Sequence, residues 1–201
     1  MARGFTHHEK EVIQEALLKQ GQEHFIRHGF KKTNISELSK LAGIAQGTFY
    51  KFYDSKEALF FDILNKEEAK VKKILLDENM TGGEITRASF KKFLMKALDL
   101  IDNNPFIQMI FIGGEYDNLF RRLSPDQMQN HIDRDEKQLI PLVEMWQESG
   151  RLVQEEPHVI VGTLRAFFLL FLHKKDIGEE IHDQTMEFMA TCLSNSLIIE
   201  D

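Results

Sequence analysis

Residues 25–59 read FIRHGFKKTNISELSKLAGIAQGTFYKFYDSKEAL, and the pattern in this stretch decides the fold. Its apolar residues recur every three or four positions, and Gly29 and Gly43 interrupt them. This spacing predicts helices separated by turns rather than strands. A first helix is expected to end near Gly29, a second to cover 34–42 and a third to cover 46–52.

The residues before the second and fourth helices are types that cap helices. Thr33 or Asn34 is expected to cap the second helix with its side-chain oxygen. Asp54 or Ser55 is expected to cap a fourth helix, which continues to about residue 76. The segment therefore contains compact helices with defined starting points.

The second and third helices, joined by the turn Ala42-Gly43-Ile44-Ala45, have the form of a helix-turn-helix. Ile44 is expected to fill the angle between them, and Phe49 and Phe52 to point inward. The other residues of the third helix supply the groups that contact bases and phosphates in a major groove. They are the Gln46 amide, the bare backbone of Gly47, the hydroxyls of Thr48 and Tyr50 and the Lys51 ammonium. A plain helical corner without DNA binding remains an alternative at this point.

The charge distribution is consistent with a polyanionic partner at one end of the chain. The net charge is −7. Residues 1–60 nevertheless hold nine Lys or Arg against seven Asp or Glu, whereas the remainder holds 16 against 25. A mildly basic N-terminal segment on an acidic body suits a contact with nucleic acid through that segment only.

The rest of the chain also has helical periodicity, which predicts an all-α protein. Helices are expected near 84–102, 105–122, 125–149, 157–174 and 178–197, with Pro141 kinking or interrupting the third of them. We expect a DNA-binding domain over 1–55, a connecting helix over 56–76 and a larger helical domain over 77–201. The longest apolar run has seven residues, whereas a membrane span needs roughly 20.

The N-terminal motif resembles the DNA-binding domain of TetR-family regulators. The resemblance rests on Phe25-x3-Gly29-Phe30-x2-Thr33-x-Ile35-x2-Leu38-x3-Ala42-Gly43-Ile44-x2-Gly47-Thr48-Phe49-Tyr50-x-Phe52-x2-Ser55-Lys56-Glu57-Ala58-Leu59. It implies a homodimeric, ligand-responsive transcriptional regulator, a repressor released from a palindromic operator by a small lipophilic inducer. It also implies a three-helix DNA-binding domain followed by a ligand-binding and dimerisation domain.

The resemblance also implies roles for individual residues. Ser36, Gln46, Gly47 and Tyr50 would lie at base edges, and Thr33, Thr48, Tyr50, Lys51 and Lys56 would hold phosphates. The family commonly has Ser or Thr where this chain has Ala45, so the third helix is expected to lack a side-chain cap.

Two further sets of residues are predicted in the C-terminal domain. The resemblance implies an inducer pocket here, and its contacts are expected to include Met109, Tyr116, Phe120, Trp146, Arg165 and Phe168. Apolar pockets with few polar anchors suit lipophilic ligands. The last two helices are apolar on more than one face and therefore need two partners. The dimer interface is expected to include Val159, Phe167, Leu170, Met189 and Leu193.

Other functions find little support in the sequence. His24 and His28 lie one helical turn apart, but no third ligand is apparent, so no metal site is expected. No catalytic motif or cofactor fingerprint is present, although a small helical enzyme and a TetR-like adaptor acting through protein partners remain alternatives. A single cysteine and a polar N-terminus favour a reducing cytoplasm and no membrane association.

Overall fold

The computed structural model describes residues 5–79, 85–112 and 125–200, and over these ranges the chain is helical, as the sequence predicted. The helices are α1 (His7–Lys32), α2 (Ile35–Leu41), α3 (Gln46–Phe49), α4 (Lys56–Asn79), α5 (Arg87–Asp102), α6 (Pro105–Ile112), α7 (Pro125–Glu148), α8 (Pro157–Leu172), α9 (Lys174–Ile177) and α10 (His182–Leu197). None of these described helices has the length and apolar character needed to cross a membrane.

The chain forms two compact units. The N-terminal unit comprises Met1–Lys70 and Asn103–Leu119, and the C-terminal unit comprises Val71–Asp102 and Phe120–Asp201. Helix α6 thus belongs to the unit that carries the helix-turn-helix, although it lies far along the chain. The predicted boundaries of the functional domains stay predictions.

The core of the N-terminal unit is a cluster of aromatic rings. The Phe60 ring contacts Phe25 and Phe30 edge-on, each at 5.2 Å between centroids, and Phe106 of α6 at 4.9 Å. All four side chains are buried. Large apolar rings in such arrangements dominate the stability of a small core, so α1, α4 and α6 are fixed to one another by this cluster.

Helices α1 and α4 approach each other closely at Gly21. A Cβ atom at this position would lie 3.1 Å from Leu59 Cδ2 and 3.2 Å from Ile63 Cδ1. Both distances are shorter than ordinary van der Waals contact, so a glycine is what permits this packing.

Side-chain caps start the helices at the predicted places. Asn34 caps α2 in a reciprocal arrangement, since the Glu37 N–H donates to Asn34 Oδ1 at 2.9 Å. The Ala58 N–H donates to Ser55 Oγ at 3.1 Å, so Ser55 caps α4. The α3 N-cap, Ala45, makes no side-chain hydrogen bond, as predicted.

Several predicted helix boundaries need correction. The dihedral angles of Gly29 (φ 76°, ψ 165°) are non-helical and interrupt α1 at the predicted place, but a short helical segment that was not predicted continues to Lys32. Helix α3 ends at Phe49, earlier than predicted, and α7 continues through Pro141 without interruption. A separate short helix, α9, follows α8 after His173. It ends at Gly178, which has a positive φ of 108°. Helix α6 is described to Ile112, and the rest of the helix predicted to residue 122 lies outside the described residues.

The C-terminal unit has its own apolar core. Helices α5, α7, α8 and α10 pack around it, with α10 against α5 and α8 against α7. Its buried side chains include Phe90, Leu94, Trp146, Phe167 and Met186. Leu152 and Ile198 form an antiparallel bridge that closes the end of this unit.

Candidate nucleic-acid interface

Helix α3 is anchored by one buried ring and presents its other residues outward. Phe49 is fully buried, whereas Gln46, Gly47 and Tyr50 are exposed, with half of the Tyr50 surface (52%) accessible. Lys51 follows the helix and is also exposed. This face therefore has the hydrogen-bonding groups that the sequence placed there, directed away from the core.

Gly47 leaves open space on that face. A Cβ atom built at Gly47 would meet nothing within 4 Å, so packing inside the protein does not require a glycine here. A bare backbone at an exposed helix start is suited to close approach by a ligand surface.

Helix α2 adds two exposed polar residues beside this face. Ser36, predicted to lie near bases, is exposed, and Lys40 lies one helical turn further along α2 and is exposed as well. Lys40 was not among the residues predicted to contact DNA. Its spacing from Ser36 was the signal that could have identified it.

A buried tyrosine connects α4 to the end of the recognition segment, which comprises residues 46–52. Tyr53 is 8% exposed, and its hydroxyl donates to Asp62 Oδ2 at 2.7 Å. Burial raises the pKa of the Tyr53 phenol far above its ordinary value, and the hydrogen bond to Asp62 raises it further. The phenol stays protonated and holds the chain after α3 in place. Tyr53 was not among the residues predicted from the sequence to belong to this site.

Two residues predicted to bind phosphate have partners inside the protein. Thr33 is 2% exposed, and its hydroxyl donates to the Gly29 carbonyl at 2.8 Å. The Lys56 ammonium donates to the carbonyls of Phe30 and Thr33, each at 2.8 Å, and lies 4.2 Å from the centroid of the Phe30 ring. These groups satisfy the backbone at the end of α1, where carbonyls have no helical partners. Thr48, the other predicted hydroxyl, is half-buried.

The predicted pocket residues occupy different parts of the chain. Trp146 is buried in the C-terminal core, and Phe168 packs against that core. Arg165 Nη2 lies 3.9 Å from Glu136 Oε1, and the Arg165 side chain is 27% exposed. Met109 is half-buried on α6 of the N-terminal unit. Tyr116 and Phe120 lie outside the described residues.

The predicted dimer residues separate into exposed and buried side chains. Val159 (53%) and Leu170 (41%) are exposed on α8, and Met189 and Leu193 are half-buried on α10. Phe167 is only 1% exposed because it fills the core of its own unit, so it is not an interface residue. Sequence periodicity showed two apolar faces but not which of them Phe167 occupies.

The two histidines of α1 lie close to each other, and one of them lies near an acidic side chain. The His24 and His28 rings lie 4.5 Å apart, and His24 Nε2 is 3.5 Å from Glu37 Oε2. Within residues 5–79, 85–112 and 125–200, no group of three or more His, Cys, Asp or Glu side chains is arranged to hold a metal ion.

Comparisons with known proteins agree with this geometry. The family model for bacterial regulatory proteins of the tetR family matches residues 17–63. YuxN of Bacillus subtilis, an uncharacterized HTH-type transcriptional regulator, is 28% identical over 132 residues, or 62% of this chain and 43% of YuxN. The Escherichia coli HTH-type transcriptional repressor NemR is 27% identical over 150 residues, or 72% of this chain and 71% of NemR.

A solved structure extends the fold comparison over nearly the whole chain. The TetR-family transcriptional regulator of Pectobacterium atrosepticum superposes with a TM-score of 0.67 at 16% identity, covering 94% of this chain and 93% of that one. This likeness shows that the two chains share a fold. Residues 17–63 of the chain are similar to bacterial regulatory proteins of the tetR family. The family and the named relatives are regulators rather than enzymes, as the sequence indicated.

Proposed function

We propose that the protein is a homodimeric DNA-binding repressor that a small lipophilic inducer releases from a palindromic operator. The observation that carries the proposal is the surface of α3 and of the two residues after it, where Gln46, Gly47, Tyr50 and Lys51 are exposed and Phe49 is buried beneath them. The repressor assignment is supported by similarity to NemR, which is named a transcriptional repressor. The reducing cytoplasm is the compartment expected for this activity.

The chemistry of this face suits a major groove. The Gln46 amide can both donate to and accept from one base edge, and Tyr50 offers a ring and a hydroxyl. Lys51 carries the positive charge that a backbone phosphate needs. Ser36 and Lys40 extend the same chemistry onto α2, where both are exposed.

A homodimer would account for the apolar surface of the C-terminal unit. Val159 and Leu170 are exposed on α8, and Phe188 of α10 is 69% exposed. Large apolar side chains in this number favour a protein partner over water. A twofold dimer would place two recognition helices about 34–36 Å apart, so the operator would contain two inverted half-sites.

The inducer site is proposed for the C-terminal unit. Trp146 and Phe168 supply apolar surface there, and Arg165 beside Glu136 supplies a polar anchor. Pockets of this composition bind lipophilic molecules and orient them through a few polar groups. Of the other predicted pocket residues, Met109 belongs to the N-terminal unit, and Tyr116 and Phe120 lie outside the described residues, so the proposed site rests on Trp146, Phe168 and Arg165. An inducer can weaken DNA binding only through its different affinities for the DNA-bound and released states.

A gel shift with the DNA upstream of the protein's own gene tests the proposal. The wild-type protein should bind one fragment more tightly than random DNA, and Gln46→Ala should lose about 1–3 kcal/mol at that fragment only. An equal loss on random DNA would show that Gln46 does not read bases. Absence of any DNA binding would favour the alternative of an adaptor that acts through protein partners.

A thermal-shift screen tests the inducer. Lipophilic dyes, quinones, antibiotics and fatty acyl compounds should include at least one that raises the melting temperature and releases the bound fragment. The effect should diminish in Trp146→Ala compared with wild type, provided that the variant remains folded. A ligand that stabilises the protein without releasing DNA would separate binding from regulation.

A further inference from the structure

The N-terminal segment contacts the recognition segment through Phe5. The Phe5 ring lies 6.5 Å from the Phe52 ring, centroid to centroid, and the Lys51 Nζ lies 5.4 Å from the centroid of the Phe5 ring. Phe5 directly precedes Thr6, the N-cap of α1, which forms a capping box with Glu9. The start of α1 is therefore ordered by its own cap, and Phe5 is placed beside Lys51.

The contact is not explained by packing of Phe5 on its own helix. A hydrophobic residue just before an N-cap often packs against the fourth residue of the same helix. That residue here is Lys10, a cation, and the apolar partner of Phe5 is Phe52 instead. Phe5 therefore links the start of α1 to Phe52, at the end of the recognition segment.

The surroundings of the contact are basic. Phe5, Lys10, Gln14, Lys51 and Phe52 line a cleft of about 320 Å³. Its described lining contains two ammonium groups, an amide and two rings, and no carboxylate. A cleft of this composition attracts an anion and gives Lys51 no acidic partner within it.

We propose that Phe5 is a positioning residue that holds the Lys51 ammonium for contact with a DNA phosphate. This inference rests on the DNA-binding function proposed above. The face of an aromatic ring attracts a cation, and it approaches the ammonium from one side only. Lys51 is exposed, so its remaining N–H groups stay accessible to a phosphate. The ring therefore orders a flexible side chain before DNA arrives, and binding loses less conformational entropy.

The test uses the full-length protein and a DNA duplex of random sequence about three helical turns long, because a phosphate contact is independent of sequence. Binding is measured over a series of salt concentrations for wild type, Phe5→Leu, Phe5→Tyr, Lys51→Ala and the double variant Phe5→Leu/Lys51→Ala. Leucine keeps an apolar contact with Phe52 but has no ring face. Tyrosine keeps the ring and is the matched control. Melting temperatures identify any variant that loses folding.

We expect Phe5→Leu to weaken DNA binding about two- to fivefold for each DNA-binding domain, which is the size of an exposed cation–π contact. Phe5→Tyr should bind like wild type. In the Lys51→Ala background, Phe5→Leu should change affinity by less than about 1.5-fold, since the residue through which it acts is absent. Lys51→Ala should reduce the slope of log affinity against log salt concentration by about one unit for each DNA-binding domain.

Other outcomes overturn the inference. If Phe5→Leu costs the same in both backgrounds, Phe5 acts on DNA binding without Lys51. If Phe5→Leu binds like wild type, or if Lys51→Ala leaves the salt dependence unchanged, Phe5 does not position a phosphate ligand. Each of these results leaves the proposed DNA binding intact as long as the wild-type protein binds the duplex. Failure of the wild-type protein to bind any duplex contradicts the proposed function itself.

Discussion

The Lys56 ammonium lies 4.2 Å from the centroid of the Phe30 ring, although 26 positions separate the two residues. It also donates to the Phe30 carbonyl and to the Thr33 carbonyl, each at 2.8 Å. One lysine at the start of α4 thereby satisfies the end of α1. A cation at the C-terminal end of a helix is favoured by the helix dipole as well.

This arrangement predicts that Lys56→Ala destabilises the protein rather than changing its electrostatic contact with DNA. Removing the donor leaves two carbonyls without it, and a loss of about 1–3 kcal/mol in the free energy of unfolding is expected. Denaturant unfolding measures this loss, with exposed Lys66→Ala of the same helix as the control. A flatter salt dependence of DNA binding with unchanged stability would instead support a phosphate contact by Lys56.

Ala45→Ser should stabilise the DNA-binding unit. Ala45 is the N-cap of α3 and makes no side-chain hydrogen bond, whereas a serine hydroxyl at this position can accept one from the first turn. The expected gain is about 1 kcal/mol in the free energy of unfolding. Ala45→Val, which adds volume but no acceptor, serves as the control and should give no gain. Equal stabilities of the serine variant and wild type would show that α3 obtains its stability from packing alone.

Glu67 should make the stability of the N-terminal unit sensitive to acid. Burial disfavours its ionised form, but hydrogen bonds from Lys70, Asn104 and Gln22 outweigh burial and lower the pKa of the Glu67 carboxyl below its ordinary value. Because the folded-state pKa is lowered, the contribution to stability is complete above the ordinary pKa of 4.5 and is lost as the pH falls through the folded-state value.

The free energy of unfolding is measured from neutral pH down to values below about 4, which is the ordinary pKa range of carboxyl groups. Glu67→Gln should lower stability at neutral pH and weaken the dependence on pH. The exposed Glu23→Gln is the control and should leave both unchanged. Parallel pH profiles for Glu67→Gln and wild type would argue against an ionised Glu67 in the folded protein.

Phe188→Asp should produce a folded monomer. Phe188 is 69% exposed, so a charge there meets water in the single chain but an apolar surface in the proposed dimer. Sedimentation should show half the wild-type mass with an unchanged circular dichroism spectrum. Val12→Asp, at a 51% exposed apolar position on α1, is the matched control. Phe167→Asp should unfold the protein instead, since Phe167 is buried. A dimeric Phe188→Asp variant would place the interface elsewhere.

The sequence predicted the elements that depend on local chemistry. Periodicity predicted the helices, and the residue types at positions 34 and 55 predicted two caps that the structure contains. The exposed face of α3 followed from the same local pattern. These features need only neighbours along the chain, and so a single sequence can show them.

The remaining features depend on contacts between distant residues. Lys56 follows a helix start, and nothing local shows that its ammonium reaches the end of α1. Phe167 lies on a helix apolar on two sides, and only packing shows which side enters the core. The contact between Phe5 and Lys51 likewise joins residues 46 positions apart. Residue type alone therefore showed neither the internal partners of Lys56 nor the burial of Phe167.

The close approach at Gly21 has a genetic consequence. Every missense mutation of the Gly21 codon adds a side chain. Even the Cβ atom of an alanine would lie 3.1 Å from Leu59 and 3.2 Å from Ile63. Alanine requires both side-chain ends to shift by a few tenths of an ångström, and any larger residue must separate the helices. Random mutagenesis of the gene should therefore recover temperature-sensitive alleles at this codon, far from the residues that face DNA.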